Sequence, residues 1–155
     1  MQNSDHKKTY NIGLLMEQTR LVAADYHQTT GMALPVTAEL ARFDAIDKLD
    51  LQKTEAVEGV DAIDPKSPKY QFLIKGRAIF KNKKSRQKLG KLSLDQPWNA
   101  LLMVLYNDEY QPTAIYQIER DIIEKELESI SVDRRGSMTV AKYKALGELK
   151  WSGDQ

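Results

Sequence analysis

The sequence predicts an α+β domain in which helices pack against a β-sheet. Three observations point to this class: helical spacing of apolar residues at the start, strand-like segments in the middle, and further helical segments near the end. At 155 residues, the chain is long enough to bury one core and too short for two. We therefore expect a single domain over residues 1–155, with residues 1–10 as a mobile tail.

Two helices are predicted first. One runs from Asn11 to Thr30 and is closed by Gly31, a residue type suited to helix ends. A second begins at Pro35 or Val36 and continues to about Leu49. The expected inward face of the first helix consists of Leu14, Leu15, Gln18, Leu21, Val22 and Tyr26. This helix could pack on its own sheet or on a partner.

The middle of the chain predicts strands. A short strand is expected over residues 54–57, followed by a hairpin within Val60 to Phe80 whose turn is marked by Asp64-Pro65. The apolar run Trp98 to Tyr106 is typical of a central strand covered on both faces. Thr113 to Ile118 alternates as a further strand.

Two shorter helices are predicted near the end of the chain. The first spans Glu119 to Leu127, with Ile122, Ile123 and Leu127 facing inward. The second spans Thr139 to Leu146 and ends at Gly147.

Composition excludes several classes of site. The chain has no cysteine, which rules out disulfides, thiolate nucleophiles and zinc–cysteine sites. His6 and His27 are too far apart in sequence to form a histidine pair at metal-ligand spacing. The polar start and the shortness of the longest apolar run predict a cytoplasmic protein without a membrane span.

Charge is concentrated in one segment. Between Pro65 and Leu94 there are ten Lys or Arg residues and no Asp or Glu, while the remainder sums to −9. A basic block in an otherwise acidic chain is typical of a phosphate-rich partner, although a solvated loop is the alternative. Arg134 and Arg135 would extend the same surface. The residues predicted to contact nucleic acid are Arg77, Lys81, Lys83, Lys84, Arg86, Lys88 and Lys91.

Five runs carry a resemblance to a known family: PVTAELARFDA, GVDAID, FLIKGRAI, RQKLGKLSL and WNALLMVLYNDEYQPTAIYQIER. They resemble small bacterial proteins of the restriction-endonuclease-like superfamily, written PD-(D/E)xK, over about Thr30 to Trp151. The resemblance implies a mixed β-sheet flanked by helices and a nuclease that depends on magnesium or manganese. In that pattern an acid stands two residues before the motif lysine, and here that position is Leu73.

The resemblance also implies roles for particular residues. Glu39 would be the helical carboxylate, Asp61 the principal metal ligand, and Lys75 the cation near the attacking water or the phosphate. Because leucine supplies no oxygen, the metal shell would be completed by a backbone carbonyl, Gln71, Glu39 or Glu58. A structural interpretation stays open, in which Asp61 flanks a turn and Lys75 faces solvent.

The register of the hairpin decides between these interpretations. Side chains alternate along a strand, so Leu73 and Lys75 share one face while Phe72 and Ile74 are expected to face the core. If Asp61 lies opposite Leu73, the aspartate and Lys75 are diagonal neighbours on one face. A shift of one residue turns Asp61 to the other face and puts Glu58 opposite Lys75.

Two functions follow as hypotheses. One is a divalent-metal-dependent nuclease that hydrolyses phosphodiesters, with DNA favoured over RNA. The other is a non-catalytic protein on the same fold that binds nucleic acid or another protein. Pairing of two chains as a homodimer stays open.

Overall fold

The structure, a computed structural model, describes residues 11–81 and 87–153. The predicted tail over residues 1–10 lies outside the described residues. The elements in chain order are α1 (Ile12–Thr30), α2 (Thr37–Leu49), β1 (Gln52–Lys53), β2 (Ala62–Asp64), β3 (Ser67–Ala78), β4 (Ala100–Tyr106), β5 (Pro112–Glu119), α3 (Arg120–Leu127), a 3₁₀ helix (Val132–Ser137), α4 (Val140–Leu146) and β6 (Glu148–Ser152). This order and the single mixed sheet confirm the predicted α+β class. None of the helices in the described residues is long and apolar enough to cross a membrane.

The six strands lie side by side in chain order, β1 to β6. All neighbouring strands pair antiparallel except β3 and β4, which are parallel. A parallel pair cannot be joined by a tight turn, so residues 79–99 must cross from one end of the sheet to the other. Most of the basic block belongs to this crossover and to β3.

Helices cover both faces of the sheet. On one face, α1 and α2 pack on a core that includes Phe72, Ile74 and Leu102. On the other face, α3 and α4 pack on a second core that includes Leu73 and Leu101. All seven residues of β4 are buried, which confirms it as the central strand covered on both sides.

The contact between α2 and β3 depends on a glycine. A Cβ atom added at Gly76 would lie 2.6 Å from the Cβ of Ala41 and 3.2 Å from the backbone oxygen of Thr37. No real Cβ tolerates the first distance. Gly76 therefore lets α2 rest directly on the strand that carries Lys75.

The boundaries of α1 match the predicted ones, but the face that it buries does not. Asn11 Oδ1 accepts the N–H of Leu14 at its start, and Gly31 ends it with a left-handed φ of 75°. The buried residues of the helix are Arg20 and Ala23, whereas Leu14, Leu21 and Val22 are exposed. The orientation follows Arg20, whose guanidinium is paired with Asp44 of α2 inside the protein.

Three other details differ from the prediction. The first strand lies at Gln52–Lys53 and not at residues 54–57, because these two residues pair with β2 before the chain turns at Gly59. Ile122 was expected to face inward and is 40% exposed. The edge strand β6 was not predicted, although apolar and polar residues alternate in it from Glu148 to Ser152.

Trp98 anchors the chain just before β4. Its ring is 1% exposed, and its Nε1 donates a hydrogen bond to the Ser93 carbonyl at 2.9 Å. The Arg120 guanidinium lies 4.7 Å from the ring centre, a distance suited to a cation–π contact.

Candidate nucleic-acid interface

The β2–β3 hairpin adopts the first of the two registers considered above. Ala62 pairs with Phe72 and Ile63 with Gln71, so Asp61, one residue earlier, lies across from Leu73. The Asp61 N–H donates to the Phe72 carbonyl at 2.8 Å, which continues the ladder.

The Asp61 carboxylate forms a structural hydrogen bond with the backbone of β3. Its Oδ2 accepts the backbone N–H of Ile74 at 2.8 Å. Because β2 is only three residues long, this N–H has no strand partner at that point, and the carboxylate takes the place of one.

Leu73 and Lys75 have different surroundings on the same face. Leu73 is 8% exposed and belongs to the core under α3 and α4, which explains why an apolar residue is suited to this position. Lys75 is half-buried beside Met103 of β4. Among the described residues, its ammonium has no hydrogen-bond or ion-pair partner.

The other two proposed metal ligands have different surroundings from Asp61. Glu39 belongs to α2, which covers the opposite face of the sheet, and its side chain is 67% exposed and paired with Arg42. Glu58 is exposed in the turn before β2. In the part of the chain that the structure describes, no three His, Cys, Asp or Glu residues gather in a way that could hold a metal ion. Glu39 and Asp61 thus lie on opposite faces of the sheet.

Gln71, another residue considered for the metal shell, forms hydrogen bonds with the end of the crossover. Its Nε2 donates to the Pro97 carbonyl at 2.8 Å, and its N–H donates to Asn99 Oδ1 at 2.7 Å. Gln71 thereby fixes the end of the crossover to β3.

Arg77, one of the residues predicted to contact phosphate, forms hydrogen bonds with residues 88–89 of the crossover. Its guanidinium donates to the carbonyls of Gly76, Lys88 and Leu89 at 2.7 to 2.9 Å. Burial lowers the pKa of this guanidinium from its ordinary value. Arg77 therefore gives residues 88–89 a fixed position, and its donors are turned towards the protein.

Lys88 and Lys91, two of the residues predicted to contact nucleic acid, line clefts together with Arg134 and Arg135. Lys88, Arg134, Ser137 and Thr139 line a cleft of about 450 Å³, which we call the Lys88 cleft. Its two walls are joined by a β-bridge between Lys88 and Thr139. Within residues 11–81 and 87–153, neither the Lys88 ammonium nor the Arg134 guanidinium has a hydrogen-bond or ion-pair partner.

A second cleft, the Lys91 cleft, lies beside the same 3₁₀ helix. Lys91 and Arg135 line it together with Tyr143 and a set of apolar side chains, and its volume is about 160 Å³. The Tyr143 hydroxyl is buried and has no hydrogen-bond partner in the described part of the chain. Burial raises the pKa of Tyr143 to about 12. Each cleft thus combines one lysine of the crossover with one arginine of the 3₁₀ helix.

The remaining predicted contacts are not placed in these clefts. Lys81 lines a different cleft, where it is accompanied by Glu17 and Glu109. Lys83, Lys84 and Arg86 lie outside the described residues.

Sequence reasoning did not find Ser137, Thr139 or Tyr143 as members of this surface. Hydroxyl residues in loops and helix starts are common, so nothing in their own spacing distinguishes them. Arg134 and Arg135 were the available signal, because they are adjacent and follow a polar stretch.

No protein-family model matches this chain, and no curated protein matches it either.

Proposed function

We propose that this protein binds nucleic acid through the Lys88 and Lys91 clefts and that binding does not depend on a metal site. The observation that carries the proposal is the meeting of two distant basic segments at the 3₁₀ helix. Four cations, Lys88, Lys91, Arg134 and Arg135, line two neighbouring clefts. Arginine and lysine in a cleft are suited to phosphate groups, which they bind as charge-assisted hydrogen-bond donors.

Three further features support binding over a solvated loop. Arg77 binds the carbonyls of Lys88 and Leu89, so the backbone at Lys88 is positioned before a ligand arrives. The charge of Lys88 and Arg134 is not neutralised by a carboxylate of the described residues. The basic block also stands in an otherwise acidic chain, and such a segregation of charge favours a phosphate-rich partner.

Salt dependence tests the proposal. We expect a labelled oligonucleotide to bind at about 50 mM salt and to lose affinity steeply towards about 200 mM, because phosphate contacts release counterions. The variant Lys88→Glu/Lys91→Glu/Arg134→Glu/Arg135→Glu is expected to bind about 100-fold more weakly or worse at low salt. Its slope of log affinity against log salt should fall by about 0.7 to 0.9 for each phosphate that the protein no longer neutralises. Fluorescence anisotropy across a salt series measures both quantities.

A matched control variant shows whether the loss of binding depends on the position of the changed residues or only on the net charge of the protein. Lys53, Lys66, Lys125 and Lys150 are exposed and lie outside both clefts. Changing these four lysines to glutamate alters the net charge by the same amount and is expected to affect binding far less. Equal losses of affinity in the two variants, or no binding by the unaltered protein at low salt, would contradict the proposal.

Nuclease activity is the second candidate, and one observation favours it. The hairpin register puts Asp61 across from Leu73, on the face that also carries Lys75. This is the arrangement that the resemblance to PD-(D/E)xK proteins implies for an aspartate and a lysine acting on one phosphate.

The variant Asp61→Asn tests this candidate without removing the structural hydrogen bond. The amide oxygen of asparagine can still accept the N–H of Ile74, while the negative charge needed for a metal is lost. If the protein is a nuclease, cleavage of plasmid, single-stranded DNA or RNA with magnesium or manganese should disappear in Asp61→Asn and in Lys75→Ala, with binding retained. Cleavage at the original rate in both variants rules out this site.

A further inference from the structure

An apolar hollow adjoins the Lys88 cleft. It has a volume of about 220 Å³, and its apolar lining comes from Ile79, Leu105, Val140 and Ala141. Gln87 and Lys144 supply its polar groups. Thr139 lines both the hollow and the Lys88 cleft, so the two spaces are neighbours.

The walls of the hollow are tied together by hydrogen bonds. The Val140 N–H donates to the Gln87 carbonyl at 2.9 Å, and Gln87 Nε2 donates to the Ala78 carbonyl at 3.2 Å. The Ile79 N–H donates to the Tyr106 carbonyl at 2.8 Å, which extends the sheet to this position. The hollow is therefore part of the fold, with one exposed apolar wall in Ile79, which is 40% exposed.

An anion-binding cleft next to an apolar hollow matches the two halves of a nucleotide. A phosphate is suited to Lys88 and Arg134, with the Thr139 hydroxyl as a further donor. The Ser137 hydroxyl donates to the Arg134 carbonyl at 2.6 Å and helps to hold the wall of the cleft. A base attached to that phosphate has flat apolar faces and polar edges, and pockets for unpaired bases combine apolar walls with hydrogen-bonding groups. Gln87 and Lys144 line the hollow, and the Gln87 side-chain oxygen, whose amide nitrogen is hydrogen-bonded to Ala78, is an acceptor for such an edge.

We propose that the Lys88 cleft and the hollow together form a site for one nucleotide whose base is unpaired, with the phosphate between Lys88 and Arg134 and the base against Ile79 and Leu105. This inference rests on the proposed nucleic-acid binding and makes it more specific. A base in a duplex is stacked and paired, and it can reach the hollow only after unstacking. The site therefore favours single-stranded over double-stranded nucleic acid.

The first part of the test compares four ligands by anisotropy or competition at low salt. They are a labelled single strand, its duplex, a strand of the same length in which every base is absent, and thymidine monophosphate as a competitor. The single strand is expected to bind about tenfold or more tightly than the strand without bases, which keeps all phosphates. It should also bind more tightly than the duplex. Displacement of the single strand by thymidine monophosphate supports a site that also takes a free nucleotide, whereas no displacement supports a site for nucleotides within a strand.

The second part uses a matched pair of isoleucines. Ile79 and Ile122 are both 40% exposed, and only Ile79 lines the hollow. Ile79→Ser is expected to weaken binding of the single strand about threefold to tenfold and to leave the strand without bases unaffected. Ile122→Ser should change neither.

The outcomes separate this inference from the proposed function. Equal affinity for the single strand, the duplex and the strand without bases would overturn the nucleotide site and leave phosphate binding by the clefts intact. The same is true if Ile79→Ser and Ile122→Ser behave alike. Absence of binding to every one of these ligands at low salt would instead overturn the proposed function itself.

Discussion

Replacing Asp44 by alanine is expected to lower the free energy of unfolding by about 3–5 kcal/mol, because it leaves a buried charge without its partner. Asp44 of α2 is 1% exposed and faces Arg20 of α1 and Tyr106 of β4. Its two oxygens accept hydrogen bonds from Arg20 Nη2 and Nη1 at 2.6 and 2.8 Å. One oxygen also accepts the Tyr106 hydroxyl at 2.6 Å.

The surrounding groups depend on this carboxylate. Burial acts to lower the pKa of Arg20, but the hydrogen bond and charge of Asp44 outweigh it, so the pKa is raised overall. Burial, together with the negative charge of Asp44, raises the pKa of Tyr106 and keeps its phenol a neutral donor. In Asp44→Ala the partners left to the guanidinium among the described residues are the Tyr110 carbonyl, at 3.1 Å, and the exposed Glu17. Neither compensates for a buried cation.

Urea denaturation of three variants measures this effect. Glu17→Ala removes an exposed partner of the same guanidinium, 3.4 Å away, and should cost no more than about 1 kcal/mol. Arg20→Met/Asp44→Leu removes both charges and should recover most of the stability lost in Asp44→Ala. A loss below about 1 kcal/mol in Asp44→Ala would show that the pair is not the main attachment of α1.

The second large effect is expected at Leu73. Leu73→Glu puts a carboxylate among the side chains of the α3 and α4 core, directly across from the negative charge of Asp61. Leu73→Ala, which only removes packing, should cost about 2–5 kcal/mol. Leu73→Glu should cost more without metal, because burial of a carboxylate is added to the weakened packing and like charges face each other across the strands.

Adding manganese shows whether Leu73→Glu creates a metal site or only destabilises the core. If the introduced carboxylate and Asp61 hold the ion together, free manganese at about 100 times the dissociation constant would return about 2.7 kcal/mol of stability to Leu73→Glu. We expect this recovery in Leu73→Glu and not in Leu73→Ala or Leu73→Glu/Asp61→Asn. Thermal unfolding with and without manganese measures it, and identical curves for Leu73→Glu would contradict a latent metal site at this position.

Local sequence patterns predicted the main elements well, for a physical reason. The apolar run in β4 and the helical spacing in α2 and α3 depend on neighbouring residues, and the structure has these elements within about two residues of the expected bounds. The inward face of α1 was wrong because Arg20 and Asp44, which are far apart in sequence, decide its orientation. A pattern of apolar residues carries no information about such a buried ion pair.

The candidate site was predictable only in part for the same reason. The register of the hairpin had two alternatives, and one was selected by the pairing of Ala62 with Phe72. Lys88 and Arg134 were both singled out as basic residues, but their meeting depends on the crossover and the 3₁₀ helix lying side by side. Long-range packing of this kind cannot be derived from the spacing of charges.

The two outer strands of the sheet have a consequence for how the molecule behaves at high concentration. An exposed strand edge has unpaired N–H and C=O groups with which a strand of another chain can form hydrogen bonds. One edge here is only the two exposed residues of β1, and the other, β6, carries the charged pair Glu148 and Lys150, whose side chains lie 3.3 Å apart. Short or charged edges resist the addition of foreign strands. Both ends of the sheet therefore disfavour growth into fibrils by strand addition.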